Sequence, residues 1–240
     1  MHDGRYSRWA VIGMMVFAVW ASITFRYVGV PGNDWHEAIN NDGTGYYGYL
    51  RLFLFSDMPQ QGAATAGANG PAPVINYFSG TAVLMAPFVL VAHAYTLLNG
   101  SGPEDGFSLH YQAAVGFSCL FYLTIGLLAL RRTLLVQGFD DRTVAIALLA
   151  LTLGTGLITQ AVEHPAMSHV YGFAVIALLF RSVQVLLLAP TGYRLVICAA
   201  LLALAMLIRP VNGLVLLALP LSGYNITFDG SRVLEINYFG

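Results

Sequence analysis

The sequence predicts an all-α fold, a polytopic bundle of transmembrane helices with interfacial helices in a long first external loop. Composition is the first reason: 57% of the 240 residues are hydrophobic and 10% are charged, whereas soluble domains are about 45–50% apolar and about 25% charged. The second reason is that the apolar residues form several runs of about 20, the length with which a helix crosses a bilayer. Because the net charge is −1 and lysine is absent, nucleic acid is not an expected partner.

The first apolar run, residues 9–25, is expected to be a retained membrane anchor. Arg5 and Arg8 precede it, and Arg26 follows it. A secretory signal would have an apolar core of about 7–15 residues and a cleavage site of small residues, but this run ends in the bulky sequence "SITFRY". Residues 1–26 are therefore assigned to a cytoplasmic N-terminus and a first span.

The later apolar runs form the rest of the predicted bundle. They are residues 107–130, 143–162, 170–189 and 195–208, and the last continues through "RPVNGLVLLALPL". These runs assign residues 107–221 to a transmembrane bundle of about four to five segments. Residues 222–240 are polar and do not continue the membrane pattern.

The arginines predict the sides of the membrane, because short cytoplasmic loops carry an excess of positive charge. They place the N-terminus and the loop "RRTLLVQGFDDR" in the cytoplasm. If residues 77–98 crossed the bilayer, that loop would lie outside, against the rule. We therefore expect residues 77–98, which contain Pro87, to lie in the interface or to re-enter the membrane, so that residues 27–106 form one external loop. A true crossing by 77–98 is the alternative.

On this map the polar side chains of three distant segments meet at the external face. The first segment is the loop "NDGTGYYGYL", the second is "EHPAMSH", and the third is "RPVN". The candidate site residues that they contribute are Asp42, Tyr46, Tyr47, Glu163, His164, His169 and Arg209. Charge bookkeeping alone predicts this convergence.

Asp42 is the candidate catalytic residue. Gly43 and Gly45 follow it and allow an open approach to its carboxylate, and Tyr46 and Tyr47 are suited to the headgroup level of a membrane. A carboxylate at this boundary can accept the proton of a hydroxyl group that attacks a sugar carbon. The alternative interpretation is an Asp-Gly turn that leads into an amphipathic helix.

Arg209 and the histidines are candidates for substrate binding. An arginine at the end of an apolar run is costly and marks a functional site, and its planar fork suits phosphate oxygens. The alternative is a snorkelling arginine at the interface. His164 and His169, with Glu163, could hydrogen-bond a polar substrate. Zinc sites need three or four convergent ligands, so no metal or other cofactor is predicted.

The order of these motifs resembles the GT-C superfamily of membrane glycosyltransferases, which includes protein mannosyltransferases and aminoarabinose transferases. An N-terminal anchor is followed by an acid and tyrosines, and then by "NYFSGTAVLMAPFVLVAH", which is similar to a "YPPGTALLLAPFFLLAH"-type segment of a bacterial branch. Phe78 and Ser79 replace its usual proline pair. The later "GFSLHYQAAVGFSCLFYLTIGLLALRR", "EHPAMSHVYGF" and "RPVNGL" extend the similarity over most of the chain.

The resemblance implies a transferase that uses a polyprenyl-phosphate-linked sugar at the external face of the inner, or plasma, membrane. It implies that Asp42 is the catalytic base and that Arg209 lies near the donor phosphate. Members of the superfamily usually have more spans than this chain offers, so we expect a fragmentary or truncated copy. Membrane lipids are further expected partners, and the oligomeric state is left open.

Two other functions are weighed against this hypothesis. A non-enzymatic polytopic protein, either a transporter subunit or a lipid-binding scaffold, is the alternative. Transporters often show internal repeats and binding groups at the membrane midplane, whereas this chain shows no convincing repeat and its polar groups cluster at one face. An intramembrane protease fits poorly, because Ser168 and His169 are adjacent in the sequence and near an interface.

Overall fold

The computed structural model describes residues 4–28, 36–55, 77–100, 106–220, 224–228 and 234–238. The helices are α1 (Arg5–Tyr27), α2 (Asp42–Leu54), α3 (Gly80–Asn99), α4 (Leu109–Val136), α5 (Asp141–Gly154), α6 (Leu157–Glu163), α7 (Ser168–Leu188) and α8 (Gly192–Ile208). A 3₁₀ helix at Pro210–Leu217 follows, and then two antiparallel strands, β1 (Tyr224–Phe228) and β2 (Leu234–Tyr238).

The predicted fold class, an all-α polytopic membrane bundle, is confirmed. Helices α1, α3, α4 and α7 are long and apolar enough to cross a membrane, and α8 is a shorter apolar helix. Each apolar run that the sequence assigns to a span is helical. The short hairpin of β1 and β2 falls in the polar tail, for which the pattern predicts no fold.

The run 143–162 is one predicted span, but the structure divides it into α5 and α6. The two helices are bent by 52°, and together they are apolar enough for either one broken span or a re-entrant loop. Gly154 ends α5, and Gly156 precedes α6 with a φ of 74°. Glycine adopts this left-handed conformation without steric cost, so it can interrupt a helix inside an apolar run.

Helix α4 lies at the centre of the bundle and runs parallel to α7. The hydroxyl groups of Ser118 and Tyr171 are hydrogen-bonded at 2.7 Å, and further along Gln184 Nε2 donates to the carbonyl of Thr133 at 3.1 Å. Between these points Gly126 allows a close approach, because a Cβ there would lie 3.0 Å from the Cα of Ala174. A single alanine-sized group would therefore push the two central helices apart.

The start of α1 is fixed to the opposite end of α4. The carboxylate of Asp141 accepts the backbone N–H of Tyr6 at 2.6 Å and that of Ser7 at 3.2 Å, and it also accepts the Ser7 hydroxyl. Arg131 Nε donates to Ser7 Oγ at 2.6 Å, and Arg131 Nη2 donates to the carbonyl of Gly4 at 2.8 Å. Helices α1 and α4 are therefore antiparallel, and the arginine-rich segments share one end of the bundle.

Helix α3 contacts the end of α8 with its first residue and the first turn of α4 with a residue towards its C-terminus. At its start, a Cβ on Gly80 would lie 2.5 Å from the backbone nitrogen of Ile208, the last residue of α8. Near its finish, His93 Nδ1 is 2.7 Å from the hydroxyl of Tyr111, in the first turn of α4. Length and composition would allow α3 to span a membrane, but these contacts do not extend along the full length of α4.

Candidate functional site

The segment that precedes α2 is tied to three helices by side chains from α1 and α4. Arg26, which is 4% exposed, donates to the carbonyl of His36 at 3.0 Å and also to the carbonyl of Val162 in α6. Gln112 of α4 accepts the backbone N–H of Ile39 at 2.7 Å. These bonds anchor the backbone just before Asp42.

Asp42 is the first residue of α2, and its side chain is exposed. A carboxylate interacts favourably with the N-terminal end of a helix dipole. Tyr77 donates its hydroxyl hydrogen to Asp42 Oδ1 at 2.9 Å. The preceding residue, Asn41, has φ 47° and ψ −134°, a strained combination for a residue other than glycine. Asp42 thus follows a residue with a strained backbone, and one of its two carboxylate oxygens is hydrogen-bonded.

Tyr77 is itself held against α2. Gly45 lies beneath its ring, and a Cβ at that position would collide with the ring atoms. Tyr49 donates its hydroxyl hydrogen to the carbonyl of Tyr77 at 2.5 Å. The pKa of Tyr77 is raised, mainly by its hydrogen bond to the Asp42 carboxylate and further by burial.

Tyr46 joins the acid-bearing helix to the third segment of the site. Its ring is 4.9 Å from that of Tyr77, between centroids. Its hydroxyl oxygen accepts hydrogen bonds from Ser168 Oγ at 3.3 Å and from Arg209 Nη2 at 3.5 Å. Arg209 is also an electrostatic neighbour of His169. A cation and a histidine therefore belong to the same connected contacts as Asp42, through Tyr46 and Tyr77.

The loop between α6 and α7 contacts α2 and the segment that precedes it. His164 Nδ1 is 3.2 Å from Asn40 Oδ1, which connects this loop to the segment before the acid. A Cβ on Gly43 would lie 2.6 Å from the Cβ of Ala166, so α2 and the loop are in direct contact. Glu163 is the last residue of α6, adjacent to His164.

The structure brings together most of the residues that the sequence assigns to the site. Asp42, Tyr46, His164, His169 and Arg209 belong to connected contacts at one end of the bundle, and their chemical roles stay predictions. The contacts also include three residues that the sequence argument does not assign to this site, which are Asn40, Tyr77 and Ser168.

Tyr47 does not share these contacts, although the sequence assigns it to substrate binding together with Tyr46. Its side chain is fully buried, its hydroxyl donates to the carbonyl of Gly106 at 2.8 Å, and its ring lies 5.9 Å from that of Phe107. Tyr47 packs α2 onto the start of α4, which is a reason for a tyrosine there that needs no substrate.

Asp42 and Arg209 do not neutralise each other. Among the residues that the structure describes, neither has an oppositely charged group within ion-pair distance, and their hydrogen-bond partners are the hydroxyls of Tyr77 and Tyr46. Within the same residues, His, Cys, Asp and Glu form no group of three that could hold a metal ion. The arrangement offers a carboxylate and a guanidinium that are each bonded to a tyrosine hydroxyl.

No family model, curated protein or solved structure matches the chain.

Proposed function

We propose that the chain is a membrane glycosyltransferase of the GT-C type, which transfers a sugar from a polyprenyl-phosphate-linked donor to an acceptor hydroxyl. The observation that carries this proposal is the placement of Asp42 and Arg209 in one cluster without an ion pair between them. A sugar-phosphate donor needs a base for the acceptor and a cation for the leaving phosphate. The cluster supplies one group of each kind.

The proposed reaction is an inverting transfer. The acceptor oxygen attacks the anomeric carbon and forms the new C–O bond, while the acceptor proton passes to the Asp42 carboxylate. The bond from the anomeric carbon to the phosphate oxygen breaks, and the lipid phosphate leaves with the electron pair. Since Asp42 Oδ1 accepts the bond from Tyr77, Oδ2 is the oxygen that we assign to the proton.

Arg209 binds the leaving phosphate in this proposal. A guanidinium presents two parallel N–H donors that match two phosphate oxygens. Arg209 Nη2 donates to Tyr46 at the long distance of 3.5 Å, which is a weak bond that a phosphate oxygen can replace. His164, His169, Glu163 and the Tyr46 hydroxyl are assigned to the hydroxyl groups of the sugar or the acceptor.

The position of the cluster in the bundle suits a lipid-linked donor. The cluster lies at the end where α1 and α8 finish and α7 starts, and the arginines Arg8, Arg131 and Arg132 lie towards the other end. By the positive-inside rule, we propose that the cluster faces the outside of the plasma membrane and that the N-terminus is cytoplasmic. A membrane-embedded enzyme can receive a polyprenyl donor directly from the bilayer.

The experiment that tests the proposal is sugar transfer by the purified protein in nanodiscs. Radiolabelled sugars on polyprenyl phosphate serve as donors, and acceptor lipids and glycans from the host membrane serve as acceptors. Replacing a general base costs about 10²–10⁴-fold in rate, so Asp42→Asn should reduce turnover by that factor without loss of fold. Glu37→Gln, which changes an exposed acid in the same segment, is the matched control and should retain full activity.

Two results would overturn the proposal. One is full activity of Asp42→Asn, which would remove the acid from the mechanism. The other is a folded wild-type protein that releases no sugar from any donor in the panel, which would favour the lipid-binding scaffold.

A further inference from the structure

Tyr77 donates to the acid of the site from a part of the chain 35 residues further along. Its hydroxyl donates a hydrogen bond to Asp42, its ring packs against that of Tyr46, and its backbone carbonyl accepts a hydrogen bond from Tyr49. All three partners belong to α2. Tyr77 lies three residues before α3 begins at Gly80, so these contacts also fix where α3 starts relative to α2.

Gly45 is the residue that makes this arrangement possible. The Tyr77 ring occupies the space that a Cβ at position 45 would need. In α2 an alanine would otherwise be preferred, because glycine in a helix interior costs about 0.5–1 kcal/mol relative to alanine. The glycine therefore has a packing reason, which is to seat an aromatic ring one turn from the carboxylate.

The rings of Tyr77 and Tyr46, which are tilted by 60° to each other, connect the partners of two opposite charges. Asp42 is bonded to Tyr77, Arg209 is bonded to Tyr46, and the ring centroids are 4.9 Å apart. The carboxylate and the guanidinium thus each have a tyrosine hydroxyl as a partner in place of a direct ion pair. A direct pair would occupy both of the groups that the proposed reaction needs.

We propose that Tyr77 is a positioning residue that holds the Asp42 carboxylate through Oδ1 and, together with Tyr46, keeps it apart from Arg209. The effect of this role on the rate of sugar transfer rests on the proposed function. A misplaced base slows proton transfer more than it weakens substrate binding. The contact itself can be measured without any substrate.

The first measurement is NMR of protein labelled with ¹³C at the tyrosine Cζ, in detergent micelles. Comparison with Tyr77→Phe assigns the Tyr77 signal, and a pH titration gives its pKa. The charged or titratable groups that contact Tyr77 are Asp42, Tyr46 and Tyr49 from α2, and Arg209 is bonded to Tyr46. We expect the Tyr77 signal to titrate above the ordinary range and Asp42→Asn to lower its pKa.

The second measurement separates kcat from KM in the sugar-transfer assay. A hydrogen bond to a charged group is worth about 1.5–3 kcal/mol, so Tyr77→Phe should lower kcat roughly 10–100-fold and leave KM within about twofold. Gly45→Ala, which displaces the whole ring, should lower kcat at least as much. Tyr193→Phe, at an exposed tyrosine near the start of α8, is the matched control and should change neither constant.

The outcomes distinguish the two proposals. If Asp42→Asn leaves the titration of Tyr77 unchanged, or if Tyr77→Phe keeps full kcat, the positioning role is wrong even though transfer occurs. If the wild-type protein transfers no sugar, the proposed function fails, and the NMR titration alone decides whether Tyr77 holds the Asp42 carboxylate.

Discussion

Gly43 lies so close to Ala166 that a Cβ at position 43 would be 2.6 Å from the Cβ of Ala166 and 3.5 Å from its backbone carbon. Carbon atoms pack at about 3.5–4.0 Å, so the two segments are as near as their backbones permit. The contact joins α2, which carries Asp42, to the loop that carries His164. The relative position of the acid and the histidine therefore depends on the absence of one methyl group.

Gly43→Ala should destabilise the protein and lower its activity. Overpacking costs about 1–3 kcal/mol, which exceeds the gain of about 0.5–1 kcal/mol that alanine brings to a helix. Thermal unfolding in detergent measures the stability. Gly116→Ala is the control, because nothing lies within 4 Å of a Cβ at that position in α4, and it should stabilise. Equal and small effects of the two substitutions would show that Ala166 can yield.

Asn41→Gly should raise stability while it lowers activity. Asn41 has φ 47° and ψ −134°, and such strain costs about 1–3 kcal/mol in a residue with a side chain. Glycine relieves the strain but makes the backbone before Asp42 freer, so the net gain should be about 1 kcal/mol. We expect a higher unfolding temperature and a lower transfer rate.

The control for Asn41→Gly is Asn99→Gly at the last residue of α3, where the backbone is helical. That substitution should lower stability slightly, by about 0.3 kcal/mol, because the helix propensity of glycine is somewhat below that of asparagine. A loss of stability in both variants would mean that the backbone at position 41 stores no strain.

The sequence predicted the bundle because composition and run length are properties of single segments, which need no knowledge of long-range contacts. It predicted the approach of His169 and Arg209 to Asp42 because charge sets the side on which each loop lies. The contact of Tyr77 with Asp42 could not be predicted in this way. Nothing in the sequence around a tyrosine next to an apolar run indicates a hydrogen bond to an acid 35 residues away.

The tyrosines of α2 could have been separated by helical spacing. Asp42, Tyr46 and Tyr49 are spaced by four and three residues, so they lie on one face of a helix, whereas Tyr47 and Leu50 lie on another. The structure places the first group in the contacts of the site and packs the second into the hydrophobic core. The division of the 143–162 run was also signalled, by the sequence "LGTG", since two glycines so close together readily interrupt a helix.

Asp141→Asn should loosen the start of α1. The Asp141 carboxylate accepts hydrogen bonds from Tyr6 and Ser7, and Arg131 donates to the Ser7 hydroxyl. Hydrogen bonds to a charged group contribute about 1.5–3 kcal/mol, and we expect a loss of stability of that size. Thermal unfolding and limited proteolysis at the N-terminus measure it.

Asp140→Asn is the matched control for Asp141→Asn, because Asp140 is adjacent and exposed and caps α5 through the backbone N–H groups of Arg142 and Thr143. Asparagine caps helices about as well as aspartate, so this variant should be nearly neutral. If it costs as much as Asp141→Asn, the contact with α1 is not what stabilises the N-terminus.

Helix α3 should not be the single membrane crossing between α1 and α4, because these two helices are antiparallel. Ser7 in the first turn of α1 contacts Arg131 near the end of α4. At the other end of α1, Arg26 binds the carbonyl of His36, in the segment that Gln112 in the first turn of α4 also holds. Helices α1 and α4 are thus antiparallel, so α1 finishes at the end of the bundle where α4 begins. If α3 were the single crossing between them, α4 would begin at the end of the bundle where α1 begins, and the two helices would be parallel.

Labelling of single cysteines with a membrane-impermeant reagent in intact cells measures this topology. The native Cys119 and Cys198 are both buried and should contribute little background. We expect Glu37→Cys and Asn99→Cys to be labelled from outside, and Arg132→Cys and Tyr193→Cys to be labelled after permeabilisation, because these positions flank opposite ends of the bundle. If position 99 were protected with position 132 while position 37 reacted, α3 would be a true span and the single external loop would be wrong.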